Sequence, residues 1–256
     1  MVSVDNPRLR PGQRLALERW TQALAAGSRS ELVVVPVGYG KTIIGVGSFA
    51  IAAAGGHADA CLYLTPTDVL RTQVYHGLER ALEVLDARLD VRKYLAENAT
   101  LHRAAANRAN VIVATYQQVA AAPQRYAKLC ARQRVHLVCD EAHHLGERGQ
   151  WAAALRALPV ATTMLLSATP VRLDREPLAG ARYVPAEDGE GLVIDPLVHV
   201  TLEGLRLPWL TTLERMGYVP MGTSPLPLLL LVALGLWALW CRHGPAWDRP
   251  ASPPAA

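Results

Sequence analysis

Five short apolar runs constrain the fold of this chain, because none of them alternates. Glu31 to Val35, Ala60 to Leu64, Asn110 to Ala114, Val135 to Cys139 and Thr162 to Leu166 are continuous stretches dominated by aliphatic residues. A strand with one solvated face is apolar at every second position, whereas a run apolar throughout is covered on both faces. Helical patterns separate the runs, one reaching Ala54 and one from Asp68 to about Leu85. Strand–helix alternation predicts an α/β fold, a doubly wound, mostly parallel sheet with helices on both faces. Such sheets bind ligands along the edge where the strands end. Gly38, Thr65, Thr115, Asp140 and Ser167 all fall at or just past those ends.

A length of 256 residues leaves room for one large domain of this kind with an appendage. The net charge of +4, with no dense Lys/Arg block, permits a nucleic-acid partner without requiring one. Cys61, Cys130, Cys139 and Cys241 show no C-x-x-C spacing, so neither a zinc site nor a disulfide framework is expected. Free thiols suit a reducing cytosol. The first residues, M-V-S-V-D-N-P-R-L-R, contain no apolar core of a secretory signal, and the expected location is cytoplasmic.

The chemistry lies in four strings at the strand ends. V-P-V-G-Y-G-K-T at 35–42 is a glycine-bearing turn leading into a helix. Its backbone N–H groups and the helix N-terminus suit phosphate oxygens. Pro36, Val37, Gly38, Tyr39, Gly40, Lys41 and Thr42 are the candidate ATP-binding residues, with Lys41 on the β/γ-phosphates and the Thr42 hydroxyl on Mg²⁺. Val35 stands where the full pattern G-x-x-x-x-G-K-[ST] has its first glycine. D-E-A-H at 140–143 places two adjacent carboxylates behind a buried strand, where they repel unless a cation shares the site. Asp140 is the candidate Mg²⁺ ligand and Glu141 the candidate base for the attacking water. S-A-T at 167–169 and His143 supply groups that could relay the nucleotide state. T-P-T at 65–67 is the fourth string.

As an ordered set these strings resemble the first motor domain of superfamily 2 DEAD/DEAH-box helicases, closest to the type I and type III restriction motor subunits. L-R-P-G-Q at 9–13, T-P-T-D-V-L-R-T-Q at 65–73, V-A-T-Y-Q at 113–117 and S-A-T-P-V-R-L-D at 167–174 carry the likeness, which covers roughly residues 8–180. The resemblance implies a RecA-like fold, ATP and Mg²⁺ as cofactors, and ATP hydrolysis coupled to movement on nucleic acid, DNA in preference to RNA. It implies that Gln13 reads adenine, that Thr65, Pro66 and Thr115 contact a strand, and that His143, Ser167 and Thr169 couple the site to motion. Val37 replaces the threonine usual in that family. The family also needs a second RecA-like domain with a Q-x-x-G-R-x-x-R motif, which this sequence lacks. Two functions follow as expectations. One is half of a motor that needs arginines from a partner. The other is a truncated nucleotide-binding module that no longer turns over, perched on a membrane or not.

The composition changes beyond about Tyr218. Met216 to Cys241 is an uncharged run of 26 residues, long enough for a span of about 20. Pro220, Pro225 and Pro227 interrupt its first half, however, and Leu228 to Cys241 is only 14 residues. A membrane span, a segment altered by truncation or frameshift, and a segment buried in a partner all fit. The expected division is 1–7 as a lead, 8–200 as the ATP-binding domain, 201–215 as a linker, 216–241 as the apolar segment and 242–256 as a disordered tail.

Overall fold

The computed structural model describes residues 6–87, 89–97, 109–169, 176–186 and 191–200. All of them belong to the first of two compact units, Met1–Leu205. The second unit, Arg206–Ala256, lies outside the described residues, and with it the apolar segment 216–241 and the tail. Among the described residues no helix is long and apolar enough to cross a membrane.

The chain enters through α1 (Pro11–Ala25), where Pro11 sets the first turn and the Gln13 side chain accepts from the Arg10 N–H. Ala16, Leu17, Trp20 and Leu24 recur at helical spacing and form its buried stripe. Then follow β1 (Ser30–Val34), α2 (Lys41–Ala54), β2 (Ala60–Thr65) and α3 (Asp68–Leu85). Thr67 caps α3 by accepting from the Leu70 N–H. Next come β3 (Lys93–Leu95), β4 (Val111–Thr115), α4 (Tyr116–Ala121) and α5 (Pro123–Cys130). Thr115 and Gln118 close a capping box at the start of α4. After β5 (Val135–Cys139) a single 3₁₀ turn (Ala142–His144) leads on to α6 (Gln150–Arg156) and β6 (Thr162–Ser167). A short antiparallel hairpin, β7 (Tyr183–Pro185) with β8 (Leu192–Ile194), precedes β9 (Val198–His199).

Among the described residues the main sheet has seven strands in the order β3-β4-β2-β5-β6-β1-β9, and every pairing is parallel. The doubly wound α/β reading therefore holds. The five predicted strands are all present, with ends within one residue of expectation. The pleat sends Val33, Tyr63, Val113 and Val138 into a core with α1, α2 and α3. Leu32, Leu62, Ile112 and Leu137 point into the opposite core, shared with α4, α5 and α6. Both faces are covered, which is why the runs read as continuous. Cys61, Cys130 and Cys139 are buried free thiols.

An imidazole interrupts the middle of this interior. His136 is fully buried beside the rings of Trp20 and Phe49. Its Nε2 lies 2.9 Å from Ser48 Oγ and its Nδ1 2.8 Å from Thr162 Oγ1. Ser48 gives its own hydroxyl proton to the Gly45 carbonyl, so it accepts from Nε2–H, and Nδ1 accepts from Thr162. Both ring nitrogens of a neutral imidazole are thereby satisfied, and burial pulls the His136 pKa down to about 3. The unfolded chain takes up this proton near pH 6.5 and the folded one does not, so stability is lost as pH falls through that window, at about 1.4 kcal/mol per pH unit. Asp140 titrates with the opposite sign in part of this window, so the loss is read as a difference: relative to His136→Gln, the wild type should lose stability in urea between pH 7 and 4.5. His136→Gln should be less stable at pH 7 by about 1–3 kcal/mol through disturbed hydrogen bonds, with the gap narrowing as pH falls. Parallel pH profiles for the two proteins would refute the assignment.

Candidate nucleotide site

The loop between β1 and α2 is built by two left-handed glycines. The Tyr39 N–H donates to the Pro36 carbonyl at 3.2 Å, closing a turn whose third residue, Gly38, has φ +74°. That geometry is a type II turn, which favours glycine at this place. Gly40, φ +88°, is the N-cap of α2, and a Cβ there would stand 2.5 Å from Gln13 Nε2. The 14-residue α2 then presents its first N–H groups to whatever the loop encloses. Val37 sits at the tip, 82% exposed, while Val35 is buried in the core.

Gln13 is itself buried, and its amide works inside the protein. Nε2 donates to the Tyr39 carbonyl at 2.8 Å and weakly to that of Gly40 at 3.4 Å, while Oε1 accepts from Arg10 N–H. Tyr39 points its ring into the core, where its hydroxyl accepts from Gly12 N–H at 3.0 Å. Arg10 donates to the Gly38 carbonyl at 2.8 Å and lies over the Tyr39 ring. Helix α1 thus holds the loop from one side. Beside this clamp a cleft of about 380 Å³ is lined by Arg10, Gln13, Gly40, Thr42, Gln73 and Arg80, among others.

Opposite the loop, β5 delivers the acidic pair. Lys41 Nζ and Glu141 Oε1 are 2.7 Å apart, with side chains only 10% and 20% exposed. Glu141 adopts φ +52°, unusual for a residue with a side chain, and so turns sharply out of the strand. His143 Nδ1 lies 3.4 Å from Glu141 Oε2 and 3.1 Å from Ser167 Oγ. Ser167 in turn donates to the Thr169 carbonyl at 2.6 Å. Lys41, Glu141, His143, Ser167 and Thr169 therefore form one continuous polar chain across the ends of β1, β5 and β6.

Asp140 is buried behind them. Its Oδ1 accepts from the Glu141 N–H at 3.0 Å, its Oδ2 from the Tyr63 hydroxyl at 3.3 Å, and its carbonyl from the Tyr116 hydroxyl at 2.7 Å. Burial first, and then the Glu141 charge, raise its pKa to about 6, while Lys41 works against them. The Thr42 side chain acts on the same Tyr63 hydroxyl, offsetting part of the rise that burial gives its pKa. The Asp140 carboxylate and the Thr42 hydroxyl thus share the neighbourhood of one phenol oxygen, an all-oxygen pair of the kind Mg²⁺ takes. No group of three or more His, Cys, Asp or Glu side chains among the described residues could hold a metal on its own. An ion here would need phosphate oxygens to complete its shell, the usual arrangement for Mg²⁺ at a nucleotide.

The strand-contact candidates are placed at the same edge but differently presented. Thr65 is fully buried and donates to the Thr67 carbonyl at 3.0 Å, and Thr115 is buried as the cap of α4. Pro66 is half-buried. Sequence reasoning missed Arg10, Tyr63 and Tyr116. The available signal was a hydroxyl-bearing aromatic inside, or just after, an otherwise aliphatic strand.

The model of the type III restriction enzyme res subunit matches residues 6–172. The chain belongs to that family. Two Mycobacterium tuberculosis proteins described only as uncharacterized, Rv2917 and MT2985, are 30% identical over 191 residues, covering 72% of this chain and 29% of theirs. The chain thus spans under a third of the length of these relatives. The Sulfolobus solfataricus SWI2/SNF2 ATPase core in complex with dsDNA is similar in fold, with TM-score 0.50, 17% identity, and coverage of 66% of this chain and 34% of that one. The ATP-dependent type ISP restriction-modification enzyme LlaBIII bound to DNA gives TM-score 0.52 and 16% identity over 77% of this chain and 15% of its own. The fold is RecA-like, and the family is that of superfamily 2 helicase-type motor ATPases, in which this chain is a first motor domain.

The raised Asp140 pKa has a stability consequence. Between about pH 4 and 6 the folded state holds the proton more tightly than the unfolded one, so stability falls as pH rises through that window. Asp140→Asn, which keeps the acceptor for Glu141 N–H, should therefore raise the metal-free unfolding free energy at pH 7.5 by roughly 1–3 kcal/mol. Equal or lower stability of that variant in urea would show that the buried charge carries no such cost.

Proposed function

We propose that this res-family domain binds ATP–Mg²⁺ and hydrolyses it to ADP and phosphate, coupled to movement on nucleic acid once a second RecA-like domain completes the site. The observation that carries this reading is the 2.7 Å pair of Lys41 and Glu141. It sets the cation of the phosphate loop against the carboxylate beside the buried Asp140, so a terminal phosphate drawn to Lys41 arrives next to a base. In this reading Gly38, Gly40 and the Val37 N–H cradle the phosphates, with Pro36 and Tyr39 closing and anchoring the turn. Lys41 leaves Glu141 for the phosphate, and Glu141 is freed to orient and deprotonate water. Thr42 and Asp140 would hold Mg²⁺, which when bound neutralises charge on the phosphate oxygens. Gln13 bears on the base through the loop that it clamps and the cleft that it lines.

His143, Ser167 and Thr169 then report the state of Glu141 to β6 and the segment after it. Pro66 and the loops anchored by Thr65 and Thr115 are the proposed contact with nucleic acid. DNA is the favoured partner, since the similar solved ATPases are described as DNA-bound. Arginines from a second motor domain stabilise the transferring phosphoryl group and are worth about 10³–10⁵ in turnover. ATP places the domain on the cytoplasmic side, and attachment to a membrane through residues 216–241 is open to test by fractionation.

ATP hydrolysis by the purified chain, with and without single-stranded and duplex DNA, tests the reading. Glu141→Gln should keep nucleotide binding and lose about 10²–10⁴ in turnover, while Lys41→Ala should weaken binding itself. Turnover that is weak in the chain alone, rises with DNA when a second motor domain is added, and is abolished by both substitutions is the expected result. Tight nucleotide binding with no turnover, even with a second motor domain added, would instead favour a binding module.

A further inference from the structure

Strand β2 carries one aromatic residue, Tyr63, which is fully buried on the face beneath α2. The helix makes room for it. A Cβ at Gly45 would lie 2.8 Å from Tyr63 Cε2, 3.1 Å from its hydroxyl and 2.9 Å from Val138 Cγ1. The missing side chain of Gly45 is thus the space the phenol fills. From there its oxygen donates to Asp140 Oδ2 at 3.3 Å, and the Thr42 side chain acts on the same hydroxyl. Thr42 belongs to α2 and Asp140 follows β5, so a third element, β2, supplies the bridge between them.

The other atoms of Asp140 are already held. Its carbonyl takes the Tyr116 hydroxyl and its Oδ1 the Glu141 N–H, which leaves Oδ2 to be fixed by Tyr63. For packing alone a phenylalanine would fill this place without bringing a hydroxyl out of water. We infer that Tyr63 is a positioning residue for the divalent cation, spacing the Thr42 hydroxyl and the Asp140 carboxylate so that they meet the ion as a preset pair. The inference rests on the proposed ATP–Mg²⁺ reading of this site. Groups that orient metal ligands in this way typically account for 10–100-fold in metal affinity or activity.

The test is binding of a fluorescent ADP analogue to the full chain, titrated with Mg²⁺ from an EDTA baseline, with thermal unfolding of each variant alongside. Tyr63→Phe keeps the ring under α2 and should unfold close to the wild type. Its nucleotide affinity in EDTA should be unchanged, while the Mg²⁺ midpoint rises by about 10–100-fold. Gly45→Ala keeps the hydroxyl but crowds the ring, and should move the midpoint in the same direction. A wild type that responds to Mg²⁺ and a Tyr63→Phe with the same midpoint would overturn the inference and leave the site reading standing. Equal losses with and without Mg²⁺ would also overturn it, since a general packing role predicts that pattern. A wild type whose nucleotide binding ignores Mg²⁺ would overturn both.

Discussion

A carboxylate at the end of a buried parallel strand must be held against its own desolvation, and Asp140 is the point around which this domain is arranged. Its oxygens and carbonyl are met by Tyr63 from β2, Tyr116 from the exit of β4 and the backbone of Glu141. Those bonds pull its pKa down but do not offset its burial and the neighbouring Glu141 charge, so the pKa stays high at about 6. The charge that would settle it is a cation, and the nearest fixed one, Lys41, is engaged with Glu141 instead. A site left short of positive charge in this way favours a ligand that brings its own.

The fold serves this arrangement by bringing five strand ends to one edge. β1 leads into the glycine-bearing loop, β2 carries Tyr63, β4 ends in the cap Thr115, β5 leads into the acidic pair and β6 ends at Ser167. Helix α1 stands outside the sheet yet governs the loop, through Gln13 and Arg10 on its carbonyls and through Gly12, whose N–H holds the Tyr39 hydroxyl. The loop is consequently braced from its concave side by groups that have no phosphate to bind.

Much of this was legible in the residues alone, and for a physical reason. Central strands buried on both faces leave a continuous aliphatic signature, so β1, β2, β4, β5 and β6 could be bounded to within a residue. The edge strands could not. β3 is only half-buried over Lys93–Leu95, and β9 is two residues long, so neither carries a pattern. The site residues stood out where chemistry demands a rare type, as at Lys41, Asp140 and Glu141. Tyr63 and His136 stayed hidden because their strands read as apolar. A hydroxyl or an imidazole there is a detail of the interior until its partner on another element is known. Gln13 was visible as a residue but not in its role, since hydrogen bonds to the Tyr39 and Gly40 carbonyls depend on a tertiary approach across 26 and 27 positions.

The strand order has a consequence for how the chain comes to be folded. β1 comes first among the described strands, yet its neighbours are β6, which ends at Ser167, and β9, which reaches His199. A nascent chain cannot give β1 either lateral partner until most of the domain has left the ribosome. Closing such long segments carries an entropic toll that local contacts cannot offset. Helices α1 and α2 can meet early around Trp20 and Ser48, but the loop between β1 and α2 stays tied to a strand with both edges bare. The glycine-bearing turn between β1 and α2 is therefore among the last parts to become rigid. Until then, the unpaired edges of β1 are a place where a chaperone, or a second nascent copy, could add a strand of its own.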